Sequence, residues 1–290
     1  MPVRARFHER SCGVRPLMPN AMGRTASKYL RQHPAVAIST FGRQMGMGVR
    51  AGRSLTSDIV HRTFPFTEFI RQCAFMASTS VVPTLLVAIP FGVIVSVQVG
   101  AIAGQVGATS FAGAANGLGI IRQGAPLVTA LLMAGAVGSA VCADLGSRTI
   151  RDEIDAMKVM AISPLQRLVV PRLAAAMLVS VLLCGSVCFV GFITGYMFNV
   201  FVQSGTPGSY LGTFAAFATI GDLVLALIKS VVFGAIVAIV ACDKGLTTRG
   251  GPGGVANSVN AAVVSSVILL FAVNVLFTQL YTIVFPARLI

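Results

Sequence analysis

The chain has 290 residues, of which 55% are apolar and only 11% charged, against roughly 25% charged in an ordinary soluble domain. A soluble fold would have to hide several tracts of about 20 apolar residues in one core, so the composition points to an all-α integral membrane protein. The net charge is +13, and residues 1–71 hold twelve Lys or Arg against Glu9, Asp58 and Glu68; no zinc spacing or aromatic-interleaved basic strand accompanies them, so nucleic acid is set aside in favour of a cytoplasmic flank that meets anionic headgroups.

In chain order, residues 1–23, with Pro2, Pro16 and Pro19, read as a disordered cytoplasmic N-terminus without the apolar run of a cleaved signal peptide. Residues 24–73 are too charged to cross a bilayer and too apolar to be a simple linker. They read as one or two basic amphipathic helices in the headgroup region, although Gly42, Gly46, Gly48 and Gly52 weaken a long regular helix. Residues 74–290 form the membrane domain. Its first span is predicted at 74–104, with Pro83, Pro90 and the adjoining Phe91 marking either an ordinary kinked helix or one wall of a substrate cavity. Residues 105–124, containing Asn116, Arg122 and several glycines, read as a polar or re-entrant connector. A second span follows at 125–147, then a charged segment, a third tract at 168–202 entered at Pro171 and Arg172, and a turn at 203–208. The fourth and fifth spans fall at 213–242 and 256–284, separated by the glycine-rich stretch 244–254.

Five spans put the termini on opposite sides. With the N-terminus in the cytoplasm, the basic N-terminal region, Arg148, Arg151, Lys158, Arg167, Arg172, Lys244 and Arg249 all fall inside, and Arg122 and Arg288 fall outside with the C-terminus. That asymmetry fixes the orientation in a plasma (inner) membrane.

Four of the nine acidic residues, Asp144, Asp152, Glu153 and Asp155, lie within twelve positions after the second span. The spacings Arg148–Asp152 and Arg151–Asp155 allow i,i+4 pairs, yet the basic residue comes first, the weaker order for a helix dipole. Stability alone therefore explains the cluster poorly. Met157, Val159, Met160 and Ile162 add an apolar side, and Ser163–Pro164 ends the helix. The segment reads as a short cytoplasmic helix with a partner-facing surface. Glu153 and Asp155 diverge on a helix and have no nucleophile or histidine beside them, so acid–base catalysis is disfavoured. In the fourth span Asp222 and Lys229 stand two turns apart on a similar face. Charges at that depth are retained where they are paired or line a cavity, and structural pairing and a direct part in transport both stay open. The six cysteines contain no CxxC pair; Cys184 and Cys188 alone suggest a joint role, and no metal site is expected. The steps Gly100–Gly104, Gly113–Gly117 and Gly191–Gly195 permit close helix contact. No Walker-type phosphate loop occurs, so any ATPase is a separate chain.

Gly138–Ala140, Ala143–Arg148, Glu153–Met157, Val159–Met160, Ser163–Pro164 and Val170–Arg172 together resemble the MlaE/YrbE-type permeases of ABC transporters that move lipids with mammalian-cell-entry (Mce) proteins. The likeness continues through Asp222, Lys229–Ser230, Phe233–Gly234 and Gly254–Val255 to Ala262–Val264. It implies an N-terminal interfacial helix, five spanning helices, and a coupling helix between the second and third that docks on an ABC-type ATPase. Arg148, Arg151, Asp152, Glu153, Asp155, Met157 and Lys158 carry that docking, while ATP and Mg bind the partner. It also implies a second permease chain, Mce lipid carriers outside, and a lipid cavity lined by the first and fifth spans. Phe69–Ala74 and Ile89–Val93 look more like the actinobacterial branch, which pairs non-identical permeases and is associated with uptake of fatty acids, sterols or other envelope lipids. Lys158 stands where a carboxylate is frequent, Ala161 where a Gly is common, and Asp144 where many members have Glu. A non-transporting membrane scaffold for Mce or lipid-handling proteins is the alternative reading, and a membrane-embedded lipid enzyme a third.

Overall fold

The computed structural model describes residues 40–58, 65–107, 111–203 and 205–284. The expected disordered terminus, much of the basic interfacial region and Arg288 lie outside them. The chain divides into two compact units, 1–45 and 46–290; of the first, only residues 40–45 are described, as the start of a helix.

Helix α1 (40–58) runs unbroken through its four glycines, against the expectation of interruption. The reason is visible at Gly48, where a Cβ would stand 3.0 Å from Ile239 Cδ1; its missing side chain serves packing. Ala51, one turn on, is fully buried.

Five helices are long and apolar enough to cross a membrane. The first, α2 (Phe66–Val106), remains helical through Pro83 and Pro90 and ends at Gly107, whose φ of 70° provides a left-handed cap; only glycine adopts that conformation without steric cost. Its 41 residues measure about 60 Å, roughly twice the hydrocarbon thickness. Its buried residues, Gln72, Met76, Ser80, Thr84, Ala88, Gly92 and Ser96, recur at every fourth position. This is a ridge of mostly small side chains that lets a neighbour approach closely.

The second span covers Ala112–Ile150 as α3 (Ala112–Gly119), α4 (Ala125–Leu132) and α5 (Ser139–Ile150), joined by π-helical turns at Ile120–Gly124 and Met133–Gly138. The predicted connector at 105–124 is therefore mostly part of a span. Its polar residues are absorbed by partners: Asn116 donates to Ser96 Oγ and the Tyr210 hydroxyl, and Arg122 pairs with Asp222.

After α6 (Glu153–Val159), a π-helical turn at Leu165–Val169 opens α7 (Val170–Phe201). A separate short helix, α8 (Pro207–Phe217), precedes α9 (Ile220–Leu246), so the fourth span begins later than predicted. The boundary is chemical: Thr219 and Asp222 form a reciprocal capping box that starts α9. The last span, α10 (Gly251–Val284), begins inside the glycine-rich stretch, leaving a four-residue link at 247–250. Gly250, with φ of 88°, makes that turn.

Packing is ordered by these surfaces. α2 lies along α7, α7 along α9, and α9 along α5 and α10. The core lies where α5, α7 and α9 meet, around Cys142, Leu145, Ala176, Val179, Phe233, Val237 and Ala241. The second span is the most buried, while α2 and α10 leave most of their apolar surface uncovered.

Candidate functional site

The charged segment after the second span folds as a sharp protrusion. α5 stops at Ile150, and Asp152 takes a left-handed conformation, φ 58°, that redirects the chain into α6. Asp tolerates this region better than most residues. Glu153 and Asp155 lie in the first turn of α6 and Lys158 in its last, the favourable sense for the helix dipole. The expected Arg148–Asp152 and Arg151–Asp155 pairs do not form, because the helix that would align them breaks at Arg151 and Asp152. Instead Arg148 pairs with Asp144 at 3.3 Å, Arg151 with Glu153 at 3.1 Å and Lys158 with Asp155 at 2.7 Å.

Ile154 is buried and Met157 packs against the core; both hold α6 down. The apolar residues turned outward are Val159, 87% exposed, Met160, 62%, and Ile162, 43%. Met157 therefore anchors the surface and Met160 presents it. Ala161 follows with φ 57°, a conformation costly for a residue with a Cβ.

Near the start of α7, Arg172 is 1% exposed and joins three spans. Its Nη2 donates to Asp144 Oδ2 of α5, and its Nε to Gln72 Oε1 of α2 at 3.4 Å. Gln72 in turn donates to Glu68 at 2.8 Å, and Glu68 pairs with Arg71 at 3.6 Å. Arg172 Nη1 is buried without a hydrogen-bond partner. The sequence placed Arg172 at an interfacial entrance; the Asp144 carboxylate allows it to sit inside.

At the opposite end of the spans, Asp222, fully buried, collects donors from three elements. Arg122 of the second span approaches at 2.7 and 3.2 Å, the Thr219 hydroxyl at 2.9 Å and the Tyr281 hydroxyl of α10 at 3.2 Å. The Arg122 guanidinium also lies 5.7 Å from the Tyr281 ring centre. Lys229 does not reach Asp222. The two are separated by about 10 Å of helix rise, and Lys229 donates instead to the Arg122 carbonyl at 3.5 Å and Thr278 Oγ1 at 3.3 Å. That carbonyl belongs to the π-helical turn at Ile120–Gly124, where wider winding loosens the backbone ladder.

Of the residues expected around a lipid cavity, Pro83 is half-buried, Pro90 is exposed, and Phe91 packs where a Cβ on Gly124 would stand, 2.7 Å away. A cavity of about 690 Å³ lies farther along α2, lined by Val97, Gly100, Gly104, Asn199, Gln203 and Ser209 among others. It is closed on one side by amides: Asn199 donates to Gln203 at 3.1 Å, and Gln203 to the Ser96 carbonyl at 3.2 Å. Gly100 has no room for a Cβ against Gln203. Cys184 and Cys188 are free thiols between α7 and α9, and among the described residues no group of three His, Cys, Asp or Glu is placed to hold a metal.

Sequence reasoning missed Arg122, Arg172, Gln72 and Tyr281 as network members. The four-residue recurrence of small and polar residues from Gln72 to Ser96 was the available signal that α2 has a protein-facing polar edge.

The sequence matches the family described as Permease MlaE over residues 69–280. The probable ABC transporter permease protein of Synechocystis sp. is 34% identical over 205 residues, covering 71% of this chain and 78% of that one. A probable ABC transporter permease protein of Rickettsia felis is 24% identical over 264 residues, 90% of this chain and 96% of its own. The chloroplastic protein trigalactosyldiacylglycerol 1 of Arabidopsis thaliana is 31% identical over 165 residues, 57% of this chain and 47% of its own. With five membrane-spanning helices and a family match across most of its length, the chain belongs to the MlaE permease family and is a multi-pass membrane permease rather than an enzyme.

Proposed function

We propose that this chain is the membrane subunit of an ATP-driven lipid transporter, and that α6 is the surface on which a separate ABC-type ATPase docks. The observation that carries the reading is the protrusion between the second and third spans. Val159, Met160 and Ile162 stand exposed beside Arg151, Asp155 and Lys158, while Ile154 and Met157 tie the helix to the core. An apolar patch ringed by charge is the usual make-up of a protein-binding face.

Lipid as cargo is supported by the Arabidopsis relative, whose name contains a lipid, and by the uncovered faces of α2 and α10. These faces suit a cavity shared with a second, non-identical permease chain. Pro83, Pro90 and Phe91 belong to that wall in this reading, and Asp222 and Lys229 hold the spans behind it. Residues 24–73 serve as a basic interfacial region and 74–290 as the permease domain, in a plasma (inner) membrane with the N-terminus cytoplasmic and the C-terminus outside. The resemblance of Phe69–Ala74 and Ile89–Val93 to the actinobacterial branch supports Mce proteins as outer partners and import of a fatty acid, sterol or other envelope lipid.

Charge reversal tests the docking surface. Glu153→Lys with Asp155→Lys should reduce recovery of the ATPase with the purified permease several-fold without changing membrane insertion. Undiminished recovery would remove α6 as the docking element.

A further inference from the structure

Arg172 lies one to two turns inside the third span, and its side chain ties that span to Gln72 of the first and to Asp144 of α5, the helix that leads into α6. We propose that Arg172 is a positioning residue that carries movement of α6 to α2, and so to the wall of the lipid path; this rests on the reading that α6 receives the ATPase.

The chain of contacts is continuous. Asp144 accepts from both Arg172 and Arg148, and Arg148 stands on the last turns of α5, just before the reversal at Asp152. A push on α6 therefore reaches Asp144 through a rigid helix end. From Asp144 the guanidinium extends to Gln72, which is held by Glu68, both on the first turns of α2. Only a forked, fixed-charge side chain can hold Asp144 and Gln72 together; a lysine offers a single point of attachment.

The mechanical setting of α2 favours transmission. Between Gln72 and Ser96, no side chain of α2 donates to or accepts from another helix among the described residues. The Ser80 hydroxyl bonds to the carbonyl of Met76 in its own helix, and Thr84 Oγ1 is buried without a partner. Apart from Met76, the buried ridge of α2 there consists of small residues, Ala88 and Gly92 among them. Polar ties occur at its two ends: Arg172 on Gln72, and Asn116 with Gln203 on Ser96. A helix fixed at its ends and smooth between them, with Pro83 and Pro90 in the smooth part, moves where its ends are moved. The unpartnered Nη1 of Arg172 leaves one donor for a different partner when the network shifts.

The test uses the full permease assembled with its ATPase in lipid nanodiscs, following amide hydrogen exchange along residues 72–96 with and without ATP. The wild type should show an ATP-dependent change. Arg172→Lys, which keeps the charge, and Gln72→Leu, which cuts only the arm to α2, should each retain ATPase binding and hydrolysis. Both should lose the α2 response and reduce ATP-dependent lipid movement by about tenfold. Asp144→Glu should behave as wild type. A full α2 response in both variants, or none in the wild type, would overturn the proposal. A wild-type assembly whose α2 responds to ATP while lipid stays in place would instead defeat the transport reading and leave the linkage standing.

Discussion

Asp222 shows how a carboxylate is kept inside a membrane protein. It is fully buried, caps α9 through Thr219 and receives Arg122 and Tyr281 from two other spans. Removing one partner of a buried ion pair costs ~3–5 kcal/mol when both are enclosed. The Arg122 side chain is 41% exposed, so water can solvate the stranded guanidinium and a smaller cost is expected. Asp222→Ala should lower unfolding stability in detergent by about 2 kcal/mol, and Arg122→Ala in the same chain should add clearly less than it does alone. Strict additivity would show that the pair contributes nothing. Ala161 is the opposite case, a residue whose side chain is a burden. At φ 57° its Cβ meets the backbone, so Ala161→Gly should stabilise the α6 turn by about 1 kcal/mol. Slower amide exchange at Ile162, which bonds back to Met157, is the readout.

At the scale of helices, packing depends on where side chains are missing. Gly234 brings α9 onto α7: a Cβ there would stand 2.5 Å from Ser180 Oγ and 2.6 Å from the Ala176 carbonyl. The carbonyl belongs to a helix and cannot rotate away. Gly234→Ala should therefore destabilise by about 1–3 kcal/mol, measured by thermal unfolding, whereas Gly185→Ala, with open space around it, should be silent. Much at this scale was legible in the sequence. Five apolar tracts gave five spans, and the charged interruption after the second gave α6. What the sequence hid was polar residues whose partners are distant in the chain. Arg122 and Asn116 suggest a connector until Asp222, Ser96 and Tyr210 are seen to satisfy them. The start of α9 was misplaced because apolar α8 merges with it by hydropathy, and only the Thr219–Asp222 cap separates them. Around α6 the residue types were readable, but their pairing was not, because it depends on a left-handed Asp152 that no periodicity announces.

At the scale of the molecule, α2 and α10 leave most of their apolar surface uncovered, the core lies among α5, α7 and α9, and exposed residues cluster at α6 between the second and third spans. In the proposed reading α6 is the docking element, and Arg172 ties α5 to α2. On the same reading the driving force comes from a separate ATPase chain, in keeping with the family match. Polar ties between spans recur at both ends of the spans, Arg172 with Asp144 at the α6 end and Arg122 with Asp222 at the other, while the middle of the buried α2 ridge is mostly small, and its hydroxyls at Ser80 and Thr84 make no hydrogen bond to another helix. Such an arrangement suits spans that move relative to one another without parting. The most direct measurement is lipid movement by the full permease assembled with the proposed second permease, ATPase and Mce partners in proteoliposomes. Transfer of fluorescent lipid that requires ATP and stops when the ATPase is mutated is the expected result. A correctly assembled complex that hydrolyses ATP and moves no lipid across a panel of phospholipid, fatty acid and sterol would contradict it.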